Sequence, residues 1–220
     1  LGGLIGWFYA LFCLKWKAHQ SVVGVGINLF ASGITAVMLK AVWQTEGMSE
    51  SVASIPNLTI LGLSGIPVLG ALFKEQSPYL YAMFLIVAGV WVVFYKTKFG
   101  LRYRAMGDQP YAVQTAGVPV NRYRYTAMIL AGSIAGLAGS YLSISQNNLF
   151  VVDMTAGRGF MGLAANIFGG WQPLGSMGAG MIFAIAQAAR FYLTDLSIPS
   201  QFVQMLPYAV TLVVLLFVGK

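Results

Sequence analysis

The sequence predicts an all-α protein, a polytopic transmembrane helix bundle with about seven spans. Of its 220 residues, 58% are hydrophobic and only 9% are charged, and the mean hydropathy is +0.73. A soluble domain carries about 25% charged residues, so this chain has too few polar side chains to cover a water-soluble globule. Its apolar residues also form long runs, five of which approach the roughly 20 residues that a helix needs to cross a bilayer.

These apolar runs give the order of the predicted spans. The five long runs cover about residues 21–39, 79–95, 125–145, 175–193 and 203–219. A sixth run, at about 1–14, looks truncated at its start. A seventh, at about 157–170, is rich in glycine, and we expect a short helix there, broken or re-entrant, because irregular backbone is tolerated where it lines a cavity. Segment 44–78 contains Pro56, Pro67 and Pro78 and is predicted to be a loop with a membrane-skimming piece, with an eighth span as the alternative.

The positions of Lys and Arg predict the orientation of the spans. If successive spans alternate in direction, one side of the membrane holds Lys15, Lys17, Lys96, Lys98, Arg102, Arg104, Arg122, Arg124 and Lys220. Because cytoplasmic loops carry an excess of Lys and Arg, loop 96–124 is predicted to be cytoplasmic and loop 44–78 external. The net charge of +7 is then a topology signal with some attraction to anionic membrane lipid. We expect no nucleic-acid binding, since no basic face in water is evident.

A helix of about two turns is predicted at 109–116, in the middle of the cytoplasmic loop. Asp108 can cap its N-terminus, Pro110 suits its first turn, and Gly117 can end it. Arginines flank it on both sides. Such a short helix is marginal alone and needs a partner surface. From the residues alone, a solvated loop whose charges only set the topology is the alternative.

Amide side chains inside the spans are candidates for contact with a transported molecule. Asn28 lies near the middle of the second run and Asn166 lies within the short one, and polar residues in spans are costly and often functional. Their amides can bond a sugar hydroxyl or a base edge, and Phe30 and Phe160 could stack on a ring. Hydrogen bonding to a neighbouring helix, or simple packing, is the alternative for each of them.

The sequence carries no recognisable catalytic or metal-binding set. A Gly-x-x-x-x-Gly-Lys-Ser/Thr phosphate-binding loop is missing, and no Ser/His/Asp or Cys/His set falls into plausible order. His19 and Cys13 are the only residues of their types and stand apart from acidic clusters. We therefore expect a non-enzymatic chain with no cofactor and no metal. No Asp or Glu lies in the middle of a predicted span, which disfavours a proton-coupled secondary transporter.

The stretch GLRYRAMGDQPYAVQTAGVPVNRYRY resembles the cytoplasmic loop of permease subunits from bacterial ABC importers for simple sugars, nucleosides and branched-chain amino acids. The matching positions are Arg104, Ala105, Gly107, Pro110, Ala112, Ala116, Gly117 and Val120. HQSVVGVGINLFASGIT, AGSIAGLAGSYLS and MLPYAVTLVVL are similar to other helices of that family, so the resemblance spans about residues 15–220. TAGRGFMGLAANIFGGWQPLGSMGAG is most similar to the simple-sugar and nucleoside branch.

The resemblance implies a permease subunit of the bacterial inner membrane that forms the translocation path for a simple sugar or a nucleoside. A branched-chain amino acid permease is the alternative, and a secondary transporter a more distant one. The implied partners are ABC ATPase subunits, a second permease subunit, identical or paralogous, and an extracytoplasmic substrate-binding protein. The residues implied to contact the ATPase are Arg104, Gly107, Asp108, Pro110, Tyr111, Ala112 and Gly117. The family pattern also leads us to expect an odd number of helices before Leu1 in this single permease domain.

Overall fold

The computed structural model describes residues 1–53, 55–56 and 76–193. Within these ranges the chain forms eight α-helices: α1 (Gly2–Ala10), α2 (Gln20–Trp43), α3 (Pro78–Lys96), α4 (Lys98–Asp108), α5 (Pro110–Thr115), α6 (Val120–Ser140), α7 (Arg158–Phe168) and α8 (Pro173–Leu193). A π-helical segment extends α1 over Leu11–Lys15, and another extends α6 over Tyr141–Gln146. The predicted all-α fold class is confirmed.

Three of the described helices are long and apolar enough to cross a membrane, namely α2, α3 and α6 with its π-helical segment. α1 with its extension, and Pro173–Ala188 of α8, are shorter apolar helices. Hardly any residue of α2, α3 or α6 is buried within the chain. Helices that are apolar on all sides are suited to lipid or to neighbouring helices rather than to water. The observed helices therefore agree with the predicted bundle of membrane spans.

The spans begin and end near the limits of the apolar runs, with two extensions. α6 begins at Val120, five residues before the predicted start at 125. α2 continues to Trp43, beyond the predicted limit at residue 39, and ends where Gln44 adopts a left-handed φ of 56°. Lys40 is tolerated in its last turn because the long side chain reaches out to Glu46, with Nζ 2.9 Å from Oε1. The predicted span at 203–219, and residues 57–75 of the predicted loop, lie outside the described residues.

The glycine-rich run forms the predicted short helix, α7, and this helix is continuous over its 11 residues rather than broken. At 1.5 Å per residue it is about 16 Å long, roughly half the thickness of the hydrocarbon core. Gly159 and Gly162 lie inside it. Without water to satisfy opened peptide groups, the helical hydrogen bonds hold despite the glycines. The chain turns only after the helix, where Gly170 and Trp171 have φ of 62° and 59°.

The chain divides into two compact units. The first comprises Leu1–Phe84 and Phe94–Thr155, and the second comprises Leu85–Val93 and Ala156–Lys220. In the first unit α1 packs on α6, while in the described part of the second unit α7 packs on α8.

Glycines at four-residue spacing form the contact between α1 and α6. Gly2 and Gly6 of α1 face Gly132 and Gly136 of α6 in antiparallel order. A Cβ atom added at Gly132 would lie 2.5 Å from the Gly2 carbonyl oxygen and 3.0 Å from Gly6 Cα. Small residues allow helix backbones to approach this closely, and van der Waals packing then holds the helices together in lipid.

A hydrogen-bonded clip joins the segment after α2 to the segment after α6. Met48 and Val151 form an antiparallel β-bridge. The Ser49 amide donates to the Phe150 carbonyl at 2.8 Å, and the Phe150 amide donates to Ser49 Oγ at 2.9 Å. Ser49 is buried. The C-terminal ends of α2 and α6 therefore lie on the same side of the first unit, as alternating spans require.

The glycine contact predicts opposite effects of one methyl group at two sites on α6. Gly132→Ala should force α1 and α6 apart and destabilise the protein by about 1–3 kcal/mol, the usual cost of overpacking. Gly139→Ala is the matched control, because a Cβ there meets nothing within 4 Å. It should leave stability unchanged or raise it slightly, since alanine favours helix over glycine by about 1 kcal/mol. Thermal unfolding of the purified protein in detergent measures both, and equal melting temperatures would contradict the close contact.

Candidate functional site

The predicted cytoplasmic loop is mostly helical, because α4 fills the part before α5. Thr97 alone separates α3 from α4, and its Oγ1 accepts a hydrogen bond from the Gly100 amide at 3.2 Å, which caps α4. This helix was not predicted from the sequence. The signals for it were the capping Thr97 and the helical spacing of Phe99, Tyr103 and Met106, which the surrounding charges obscured.

α5 occupies nearly the predicted position, but it starts differently. Pro110 is its first residue, as predicted. Asp108 is not the N-cap, because α4 continues through Asp108 and the cap position falls to Gln109, which makes no side-chain capping hydrogen bond. The burial of Met106 in the last turn of α4 favours this continuation. α4 and α5 are therefore separated by a single residue.

The C-terminal end of α5 forms the predicted glycine cap. Gly117 has a left-handed φ of 79°. Its amide donates to the Gln114 carbonyl at 3.0 Å, and the Val118 amide donates to the Val113 carbonyl at 3.3 Å. This pair of bonds is a Schellman motif, which supplies hydrogen-bond donors to carbonyls that have no partner within the helix. The cap fixes the direction in which the chain leaves α5 for α6.

The residues assigned to ATPase contact present an exposed surface on and beside α5. The Tyr111 side chain is 80% exposed. Ala112 and Gly107 are also exposed, while Pro110 is half-buried. A surface with an exposed tyrosine and a flat alanine beside it is suited to insertion into a groove of another protein.

Four aromatic rings connect α4 to two membrane helices, and we name them the aromatic stack: Phe94, Phe99, Tyr103 and Tyr123. Phe99 stacks on Tyr123 of α6, with centroids 4.9 Å apart and planes at 24°, and on Tyr103 at 6.3 Å and 17°. Tyr103 in turn meets Phe94, in the last turn of α3, edge to face at 5.2 Å. The stack thus joins α3, α4 and α6 within the first unit.

Two arginines border the aromatic stack. Arg102 Nη1 donates to the Tyr123 hydroxyl at 3.4 Å. The Arg104 guanidinium lies 4.8 Å from the centroid of the Tyr95 ring, a cation–π contact. Arg104, which the resemblance assigned to ATPase contact, therefore also contacts the end of α3.

Asn28 and Phe30 lie in α2 and both side chains are exposed, with Phe30 at 67%. Residues two positions apart differ by about 200° around a helix. The two side chains therefore face different sides of α2, and one neighbouring surface cannot meet both. The structure does not bring them together.

Asn166 is half-buried and binds the neighbouring helix. Ser176 Oγ of α8 donates to its Oδ1 at 2.8 Å. A Cβ at Gly169 would overlap the backbone of Gly175 and Ser176, so only glycine permits the close turn that brings these groups together. Phe160 lies in the first turn of α7 and is 75% exposed. Ser176 was not among the predicted residues, and the Gly169/Gly175 pair is the signal that could have found it.

The glycine cap predicts a substitution that loosens α5 and another that does not. Gly117→Val should be strained at φ 79° by about 1–2 kcal/mol, whereas Gly117→Asn should be tolerated because asparagine visits this conformation. Amide hydrogen exchange in segment 110–120 should accelerate about 5- to 30-fold in the valine variant and stay near wild type in the asparagine variant. Equal exchange in both would show that the cap does not stabilise α5.

Comparison with known proteins identifies the family. Residues 1–218 match the family described as "Branched-chain amino acid transport system / permease component". Over its whole length the chain is 34% identical to the nucleoside ABC transporter permease protein NupC of Lactococcus lactis, of which it covers 71%. It is 32% identical, again over its whole length, to the guanosine ABC transporter permease protein NupQ of Bacillus subtilis, of which it covers 70%. No solved structure matches the chain.

A third relative is the putative glucose ABC transporter permease protein TsgC13 of Haloferax volcanii. The identity is 32% over 86% of the chain, and the match covers 57% of that relative. These relatives are transport components, which confirms the non-enzymatic interpretation and the predicted family. Membership also implies an ATPase and a binding protein as partners. Together with the apolar helices, it makes the protein a multi-pass membrane protein. The chain belongs to the permease component family of ABC transporters.

Proposed function

We propose that the chain forms the membrane path of an ATP-driven nucleoside importer in the bacterial inner membrane, together with a second permease subunit. The observation that carries this proposal is whole-length similarity to two permeases named for nucleoside and guanosine transport. Both of these relatives come from bacteria. An extracytoplasmic binding protein delivers the nucleoside, and separate ATPase subunits drive its passage.

Asn166 and Asn28 are the proposed polar contacts of the path. Ser176 engages Oδ1 of Asn166, and the described residues give its amide nitrogen no acceptor, so this NH₂ group is left to donate to a base or ribose oxygen. The exposed ring of Phe160 offers a face on which a base can stack. Phe30 offers another on α2, although it faces a different side from Asn28.

α5 is the proposed docking element for the ATPase. It has six residues, too few for a stable isolated helix, so its stability depends on contacts beyond its own backbone. The exposed Tyr111 and Ala112 form the surface that enters the ATPase, and Gly117 holds the helix end in place. Arg122 and Arg124 are exposed beside it and meet acidic groups at the rim of the docking groove.

A simple sugar is the second candidate substrate, because similarity to the glucose permease of Haloferax volcanii reaches the same 32% identity. Nucleosides are favoured because the similarity to the two nucleoside permeases extends over the whole chain. Branched-chain amino acids have only the family description in their favour. A secondary transporter is disfavoured by the same ABC permease relatives.

Uptake by cells that lack their own nucleoside transport tests this function. The full-length permease should be expressed with its ATPase and binding protein, and labelled guanosine, uridine, glucose and leucine offered separately. We expect ATP-dependent nucleoside uptake that stops when the ATPase is inactivated. Uptake of glucose or leucine alone would reject the substrate, and undiminished uptake with an inactive ATPase would reject the energy source.

The same assay distinguishes a path role of Asn166 from a packing role. Asn166→Leu removes the amide, whereas Ser176→Ala removes only its helix partner. If the amide meets the substrate, the leucine variant should lower uptake by about tenfold, the value of one hydrogen bond in a dry site, and the alanine variant much less. Equal losses in the two variants would assign Asn166 to packing.

Docking through α5 predicts that one added charge separates the permease from its ATPase. Ala112→Glu places a carboxylate on the exposed face of α5, and its burial in the interface should weaken binding at least ~100-fold. The ATPase should then no longer co-purify with a permease that still inserts normally. Gln114→Glu, with a similar side chain about 200° around the same helix, is the control. Uptake at the normal rate by the Ala112→Glu variant would reject α5 as the docking element.

A further inference from the structure

The aromatic stack lies between the proposed docking helix and the membrane spans. α5 follows α4 after one residue, Gln109, and α4 follows α3 after one residue, Thr97. Linkers of one residue leave little freedom for α4 to move independently. A displacement applied to α5 must therefore reach α3 through α4 or be absorbed by strain in these two linkers.

The contacts of α4 favour transmission of this displacement to the spans over its absorption as strain in the two linkers. Phe99 stacks on Tyr123, in the first turn of α6, and on Tyr103 of its own helix. Tyr103 extends the contact to Phe94 in α3. α4 also buries Gly100 and Met106. Ring contacts thus join the helix to two spans at once, and Arg102 and Arg104 add a contact to each of the same two spans, α6 and α3.

We propose that the aromatic stack of Phe94, Phe99, Tyr103 and Tyr123 is the positioning element that passes movement of the docked α5 to the spans α3 and α6. This inference rests on the proposed function. Phe99 is its central residue because its ring makes both stacked contacts. Arg102 supports the stack from the side through the Tyr123 hydroxyl. None of these residues contacts the substrate in this role.

The experiment makes three measurements on the complete transporter. These are co-purification of the ATPase, and, in proteoliposomes, the rate of ATP hydrolysis and the import ratio, which is the number of guanosine molecules imported per ATP hydrolysed. Phe99→Ala should keep the ATPase bound and hydrolysing ATP while the import ratio falls about tenfold, as expected when both ring contacts are lost. Phe99→Leu should lower the ratio as well, because it keeps apolar volume without a ring. Phe99→Tyr should restore it.

Two controls separate this inference from the proposed function. Leu101 lies on the same helix and is 63% exposed, so Leu101→Ala should leave the import ratio unchanged. Ala112→Glu should lose the ATPase itself, which Phe99→Ala should not. A normal ratio in both Phe99→Ala and Phe99→Leu would overturn the inference, as would loss of ATPase binding in both. Failure of the wild-type transporter to couple ATP hydrolysis to import would overturn the proposed function and this inference with it.

Discussion

Direct backbone contact between α1 and α6 is the constraint on which the first unit depends. Lipid tails are as apolar as leucine, so burial of apolar surface does not hold two membrane helices together. What remains is the fit of one backbone against the other, and Gly2, Gly6, Gly132 and Gly136 provide it. Because side chains would prevent the contact, the glycines fix which residues of the two antiparallel helices lie opposite each other.

The segment between α3 and α6 exposes the surface of α5 on a backbone that is already restrained. Its helices are joined by single residues at Thr97 and Gln109, and the last turn before α6 is closed by the Schellman motif at Gly117. Each device restricts backbone freedom before any partner binds. Less entropy is then lost on association, which is how preorganised surfaces gain affinity. The short α5 is therefore held in place by its connections rather than by helical propensity.

The sequence predicted those features that depend on local pattern. The three long helices α2, α3 and α6 follow from the length of their apolar runs. α5 follows from Pro110, which fixes φ at its start, and from Gly117, which permits the positive φ at its end. α4 was missed because its cations suggested a loop. Asp108 was misassigned because a capping residue is recognised locally, whereas the end of α4 also depends on the burial of Met106.

Contacts distant in sequence could not be predicted in this way. The pairing of Gly2 with Gly132 and the stacking of Phe99 on Tyr123 require knowledge of which helices are neighbours, and run lengths do not contain it. The bond between Ser176 and Asn166 depends on a turn whose close approach only the folded backbone reveals. The different directions of Asn28 and Phe30, by contrast, follow from their two-residue spacing, because such positions differ by about 200° around a helix.

The clip between Ser49 and Phe150 has a consequence for biosynthesis. The two residues are 101 positions apart in the chain, so the segment after α2 emerges long before its hydrogen-bonding partner has been made. Its backbone groups must wait in water until α6 has crossed the bilayer. If α6 were inserted in the reverse direction, Phe150 would be left on the opposite side and the clip could not form. The hydrogen bonds of the clip therefore form late in biosynthesis, and they form only in a chain whose α2 and α6 have been inserted in the correct orientation.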